Sequence, residues 1–600
     1  MAAALAALAA GALLAPSSAG RAEPAPVRSA DAATPPAAVG APDPSAQTVP
    51  VGVQPKVLSQ KDVELYRKIF DVQKDGHWAE ADKLIRQVKD TTLMGHVLYQ
   101  RYMHPTKYRS SYRELRDWMT LYSDLPDADK VYTLAMRRKP AREVAPVEPV
   151  PDRYKPPPPP EVELSDAEKQ RRAAEYKVRS AISAALSSKN PAQAERALRA
   201  GKGVLDKPAF NAQLTLIAKA YYFQQDYRKA LDLGDDASDR DDGEVAEAGW
   251  FGGLAAWRLE KYGKSAKLFV KTANATDGST GLSAAGAYWA ARAYLRDREP
   301  EKALEMLQTA AQHRRTFYGI LAARQLDQKL DYDWSPPTIT QADLNEALNY
   351  PGVRRAIALQ QVGDRAMADE EMQLVARRLS PDQPRAGLMK VAFRLNFTGT
   401  AVALARYTER NGGPVVEAAL FPMPDFSPED GFKLDRALLF AFARQESNFM
   451  ARATSWAGAR GLMQLMPSTA GYIAHDNSLK DRNVDRLYDA GFNMMLGQKY
   501  LMYLFDKDVT QGNLMLVAAA YNAGPGNVAK WLDRDDSGGD WLLFMESIPV
   551  FETRGYVEHV LENLWVYRAR LGQPSPALTA LIAGAPPRYS PSDSRELAAQ

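Results

Sequence analysis

Apolar residues recur at helical spacing along most of this 600-residue chain, interrupted by short stretches rich in proline, alanine and serine. Val63, Tyr66, Ile69 and Phe70 set the first such stripe, and a spacing of three to four places these side chains on one helix face. Where proline clusters, the stripe stops, because proline removes a backbone donor and cannot continue a helix. The pattern divides the chain into a helical segment over 56–138, a proline-rich insert over 139–163, helices over 164–345 and 346–423, a distinct region over 424–573, and a flexible tail over 574–600. The run Pro156 to Pro160 favours an extended polyproline conformation.

The long helical part contains a repeat. Asn190-Pro-Ala-Gln-Ala194, Asp226-Tyr-Arg-Lys-Ala230, Lys261-Tyr-Gly-Lys-Ser-Ala266 and Glu299-Pro-Glu-Lys-Ala303 share an alanine, at spacings of 36, 36 and 37. Aromatic and alanine-rich helices precede the later three copies, at Ala218 to Phe223, Trp250 to Trp257 and Tyr288 to Tyr294. A small residue where two helices cross, repeated one helix pair later, predicts stacked pairs that resemble tetratricopeptide-type units. His77-Trp-Ala-Glu-Ala81 reads as an outlying copy. Stacking leaves one concave side open, suited to a long polymer or to a protein partner; chemistry must lie elsewhere.

Composition narrows the classes. With 76 basic and 73 acidic residues the net charge is +3, too small for a nucleic-acid binder of this length. Zero cysteine excludes thiol catalysis, disulfides and thiolate-held metals. Met1 to Pro16 is a short apolar run followed by small residues to Ala22, which reads as a secretory signal over 1–22, followed by an Ala/Pro-rich disordered spacer over 23–55. That run is too short to span a bilayer and nothing longer follows, so a soluble, exported chain without a transmembrane segment is expected.

The region 424–573 carries the candidate chemistry. Ser427-Pro-Glu-Asp430 predicts a helix start, followed by the apolar run Leu434 to Phe442. Leu439, Phe442, Glu446 and Phe449 then form one stripe, which puts a carboxyl on the face turned inward. An interior carboxyl has its charged form disfavoured and its pKa raised, as a general acid requires. The stripe alone leaves a second reading open, a helix that ends before Glu446 and a carboxylate in water. Three further segments follow: Gly458-Ala-Arg-Gly-Leu-Met-Gln464-Leu-Met466-Pro467, Ala518-Ala-Ala-Tyr521-Asn522-Ala-Gly-Pro-Gly526 and Glu552-Thr-Arg554-Gly-Tyr556-Val557.

Taken in order with the Glu446-Ser447 pair, these segments resemble the soluble lytic murein transglycosylase family. Four motifs in series over a domain-sized span are far more specific than any one of them. The resemblance implies a mainly α chain, an α-helical superhelix followed by a lysozyme-like α+β catalytic domain, in a periplasm. It implies cleavage of the β-1,4 bond between N-acetylmuramic acid and N-acetylglucosamine in peptidoglycan, with the muramic C6 hydroxyl closing onto C1. By motif position Glu446 is the catalytic acid and then base, and Ser447 orients it. Gln464 and Met466 line the groove, and Tyr521 and Asn522 bind the sugar beside the scissile bond. Glu552 is the second acid to consider, in a positioning role or paired with Arg554.

Most aromatics of the region, Tyr521, Trp531, Trp541, Phe551, Tyr556, Trp565 and Tyr567, are expected in the core at this spacing, with sugar stacking the alternative. His475 and His559 lack partners at ligand spacing, so neither a metal nor another cofactor is expected. Ser447 lacks the histidine pattern of a hydrolase nucleophile. Expected partners are peptidoglycan glycan strands, with cell-wall synthesis proteins as candidates for the repeats. A hydrolytic muramidase on the same fold and a non-catalytic helical scaffold are the alternatives.

Overall fold

The computed structural model describes residues 55–156, 164–240 and 246–591. The expected signal, and all but residue 55 of the spacer, lie outside these. The described residues contain 28 α-helices and two 3-10 helices, and their strand content is three isolated bridges. No helix among them is long and apolar enough to cross a membrane. Two compact units result, one holding described residues 164–313 and the other 55–156 and 314–591.

The first unit consists of helix pairs running from Asp166–Ser187 to Pro300–Ala311. Its four motif alanines, Ala194, Ala230, Ala266 and Ala303, are all buried. One turn serves all four copies. Lys189, Gln225, Glu260 and Arg298 each adopt positive φ, between 54° and 64°. The residue after each donates its N–H five residues back, as in Asp226 to the Tyr221 carbonyl at 3.0 Å and Glu299 to Tyr294 at 2.9 Å. That bond satisfies a helix-terminal carbonyl which would otherwise be orphaned. Residues 314–345, read from the sequence with the repeats, belong to the second unit.

In the second unit the same turn recurs at Gly76, Gly363 and Asn396, followed by buried Ala81, Ala368 and Ala401. The outlying copy at His77 therefore has the geometry of the repeats. The N-terminal helices pack on Pro351–Val362 and Arg365–Arg378 through a buried pair. There His96 Nε2 lies 2.8 Å from Glu371, whose carboxylate also accepts from Arg355 at 2.7 and 3.0 Å. The described part of the proline-rich insert straps these layers together. Arg378 donates to the Val150, Pro151 and Asp124 carbonyls, and the Tyr154 N–H donates to Arg377.

Two expectations need correction here. Residues 427–434 form no helix: Gln498 Oε1 accepts from the Lys433 and Leu434 N–H groups, and the helix starts only at Arg436. Residues 574–591 are not a loose tail. Pro576–Ile582 is a helix with Leu578 and Leu581 buried, and the Tyr589 ring stacks on Phe505 at 4.8 Å. Both depend on partners distant in the chain.

Candidate active site

The helix Arg436–Ser447 is buried almost all round, from Ala437 to Ala443. Asp435 at its start forms a fully buried ion pair with Arg568 at 2.8 Å. Toward its end Arg444 donates to Asn563 at 2.6 Å and to the Leu420 carbonyl at 2.8 Å. Asn448 and Phe449 then take φ of 49° and 65° and end the helix. Left-handed backbone costs a phenylalanine roughly 1–2 kcal/mol; burial of its ring, 1% exposed, offsets that. The helix thus continues through Glu446 and closes the alternative in which it ended earlier.

Glu446 is half-buried at the open end of this stripe. Tyr556, on the helix Phe551–Arg570, donates its hydroxyl to Glu446 Oε1 at 2.5 Å. Burial pushes the Glu446 carboxyl up to about 8; the Tyr556 bond acts against this, and the Glu552 charge adds to it. An oxygen that accepts from Tyr556 is the carbonyl-like one, so the acidic proton sits on Oε2. Tyr556 and Tyr521 are themselves raised well above an ordinary tyrosine, first by burial and then by the Glu446 charge. The Phe442 ring lies between them, at 5.0 Å from Tyr521 and 6.3 Å from Tyr556.

The segment 450–466 forms a wall beside the helix. Single rungs pair Thr454 with Arg460 and Arg460 with Leu465, and turns at Gly458 and Gly461 prevent a longer ladder. Fully buried Asn493 clamps this wall: it accepts from the Met463 N–H at 2.8 Å and donates to Arg460 and Leu487 carbonyls at 3.0 and 2.9 Å. Gln464 is half-buried and donates to the Ala453 and Gly461 carbonyls, and Met466 is 39% exposed. The Tyr521 hydroxyl donates to the Met463 carbonyl at 2.8 Å. Asn522 Oδ1 accepts from Thr553 at 2.6 Å, joining the two helices behind the site.

Ser447 stands differently from expectation, and of the two readings of Glu552 the pair with Arg554 does not form. The buried Ser447 hydroxyl donates toward the Leu462 carbonyl at 2.8 Å, with the Ala443 carbonyl at 3.1 Å. It ties the wall to the helix rather than orienting the acid, because adjacent residues on a helix do not share a face. Glu552 is exposed and unpaired with Arg554, which instead donates to the Ile548 carbonyl at 2.8 Å and faces buried Glu546 at 3.7 Å. Tyr556 is the residue sequence reasoning left in the core. Asn493 escaped it as well, although a polar residue in an otherwise apolar helix was a usable signal.

The family model described as "Transglycosylase SLT domain" matches residues 426–544. That span contains Glu446, Ser447, Gln464, Met466, Tyr521 and Asn522; Glu552 and Tyr556 lie beyond it. The soluble lytic murein transglycosylase of Salmonella typhimurium is 32% identical over 293 residues, 48% of this chain and 44% of that protein. Its Escherichia coli K12 counterpart is 30% identical over 298 residues, 49% and 45% of the two chains. The chain thus spans less than half the length of these curated relatives. An inactive mutant of the lytic transglycosylase Slt from Pseudomonas aeruginosa shares the fold, with a TM-score of 0.51 at 20% identity over 86% of this chain and 87% of that one. Residues 426–544 thus match the transglycosylase SLT domain, in a chain similar over about half its length to the soluble lytic murein transglycosylases.

Proposed function

We propose that the chain is an exported lytic transglycosylase that cleaves the β-1,4 bond between N-acetylmuramic acid and N-acetylglucosamine and leaves 1,6-anhydromuramic ends. The observation that carries this reading is Glu446, a carboxyl inside the span that matches the SLT domain, pushed up to about 8 by burial and held by the Tyr556 hydroxyl from the helix that follows that span. Export rests on the apolar run at Met1 to Pro16.

The steps balance around one proton. Glu446 Oε2 gives its proton to the glycosidic oxygen as the bond to C1 breaks. The 2-acetamido carbonyl oxygen bonds to the electron-poor C1, as in substrate-assisted glycosidases. Glu446, now a carboxylate stabilised by the Tyr556 hydroxyl, takes the proton of the C6 hydroxyl while that oxygen displaces the acetamido group from C1. The acid returns to its starting state and no water is consumed. An intramolecular nucleophile also avoids the entropy of capturing one from solution. Ser447, Gln464 and Asn493 hold the wall, Met466 limits water, Tyr521 lies beside the acid, and Asn522 is left as the sugar-binding amide that joins the two helices through Thr553.

Mass spectrometry of fragments released from purified murein sacculi tests this. The expected products end in the anhydro sugar, one water lighter than reducing ends; reducing ends would assign hydrolysis, with Glu552 the carboxylate to examine. A second experiment reads the acid itself. Tyr556→Phe removes an interaction that lowers the Glu446 pKa, so the alkaline limb of kcat/KM moves to higher pH while the maximal rate falls. Glu552→Gln removes one that raises it, so the limb moves to lower pH. Limbs shifting in the same direction would mean that Glu446 is not the group being titrated.

A further inference from the structure

Four tyrosines run outward from the acid in ring-to-ring contact, and each keeps part of its surface open to water. Tyr521 lies 5.1 Å from Tyr500, Tyr500 lies 6.2 Å from Tyr503 in a near-parallel stack, and Tyr503 lies 5.8 Å from Tyr472. Tyr472 is 60% exposed and the other three are half-buried. Aromatic rings that serve packing in this domain behave otherwise, as Tyr567 and Trp565 show at 0% and 1% exposure. Rings left in contact with each other and open to water present apolar faces and hydroxyls together, the combination that stacks on sugar rings.

A cation sits at the far end. Lys507 Nζ lies 4.2 Å from the centre of the Tyr503 ring, and no carboxylate among the described residues lies within ion-pair distance of it. We propose that Tyr500, Tyr503 and Tyr472 form a glycan-binding track leading from Glu446 to Lys507, whose ammonium pairs with a carboxylate carried by the muramyl unit. The inference rests on the murein-cleaving reading of the site and adds the part of the strand that is gripped and the group that is recognised there. Two sources supply such a carboxylate, the free lactyl group of a peptide-free strand and the stem peptide.

Calorimetric titration of the full chain carrying Glu446→Gln, which binds without turnover, separates these points. Three probes are used: chitotetraose, a peptide-free murein tetrasaccharide, and the same tetrasaccharide with stem peptides. Lys507→Met is expected to weaken one of the two murein probes about threefold to fivefold, the range of an exposed charge pair, and to change chitotetraose by less than twofold. Loss confined to the peptide-free probe assigns the lactyl group; loss confined to the other assigns the stem. Tyr472→Ala is expected to weaken all three about fivefold, and Tyr472→Phe to restore them. Equal effects of Lys507→Met on all probes, or none, would overturn the track. Failure of the Glu446→Gln chain to bind any probe would instead overturn the murein reading beneath it.

Discussion

Glu446→Gln is expected to lower murein cleavage by at least 10²- to 10⁴-fold while glycan binding survives, because the same side chain serves as acid in one half of the reaction and base in the other. In barrier terms that is about 3–5 kcal/mol. The amide keeps the size of the carboxyl and can still accept from Tyr556, so lost cleavage with intact binding separates chemistry from folding. Activity retained within tenfold would place the acid elsewhere. A stability signature accompanies the kinetic one. The folded chain holds the Glu446 proton up to about pH 8, against 4.5 for an ordinary glutamate. Stability from this raised value is complete below the unfolded pKa and is lost as pH climbs through the folded one. The melting temperature of the unmodified chain should therefore fall relative to Glu446→Gln between pH 4.5 and 8 and run parallel to it outside that window. The size is on the order of 1–3 kcal/mol, since the carboxyl is partly open to water.

What the sequence made legible depended on how far apart the interacting residues are. The stripe Leu439, Phe442, Glu446 lies within one helix, so its period offered the inward face for the carboxyl, and the flanking motifs decided between that and a helix ending earlier. The alanines at 194, 230, 266 and 303 were readable because each copy meets its neighbours in the same way. The copies at Ala368 and Ala401 share the turn but not the residues before it, so the backbone repeats where the sequence does not. Tyr556 was not legible as a partner of Glu446, because the hydrogen bond crosses between helices far apart in the chain and periodicity reports only the face of one helix. Ser447 was misread, and the alternative that paired Glu552 with Arg554 fails, for a simpler reason. Each was paired with a close neighbour in the chain, although residues one or two apart on a helix point in different directions. The wall of the site was visible as glycine-punctuated, irregular sequence. Its shape was not, since the clamp Asn493 comes from a separate helix.

Gly461→Ala is expected to cost roughly 2–6 kcal/mol of stability, combining overpacking with backbone strain. At φ +82° this residue occupies the left-handed region, and a Cβ there would meet the Leu487 carbonyl oxygen at 2.1 Å and the Asn493 amide nitrogen at 2.4 Å. Neither obstacle is the free end of a flexible chain. One is backbone, and the other is the buried amide that bonds Met463, Arg460 and Leu487 together. To admit one methyl group the wall must move away from Asn493. That would displace the Met463 carbonyl, which receives the Tyr521 hydroxyl, and the Leu462 carbonyl, which receives Ser447. Stability and activity should therefore fall together, in contrast to Glu446→Gln, which removes activity alone. At Gly458, φ is +88° but nothing lies within 4 Å of the added Cβ, so Gly458→Ala should cost only the backbone strain, about 1–2 kcal/mol. Urea unfolding with an unchanged slope checks both values. Equal losses at the two glycines would mean that the contact with Leu487 and Asn493 does not set the geometry of the wall.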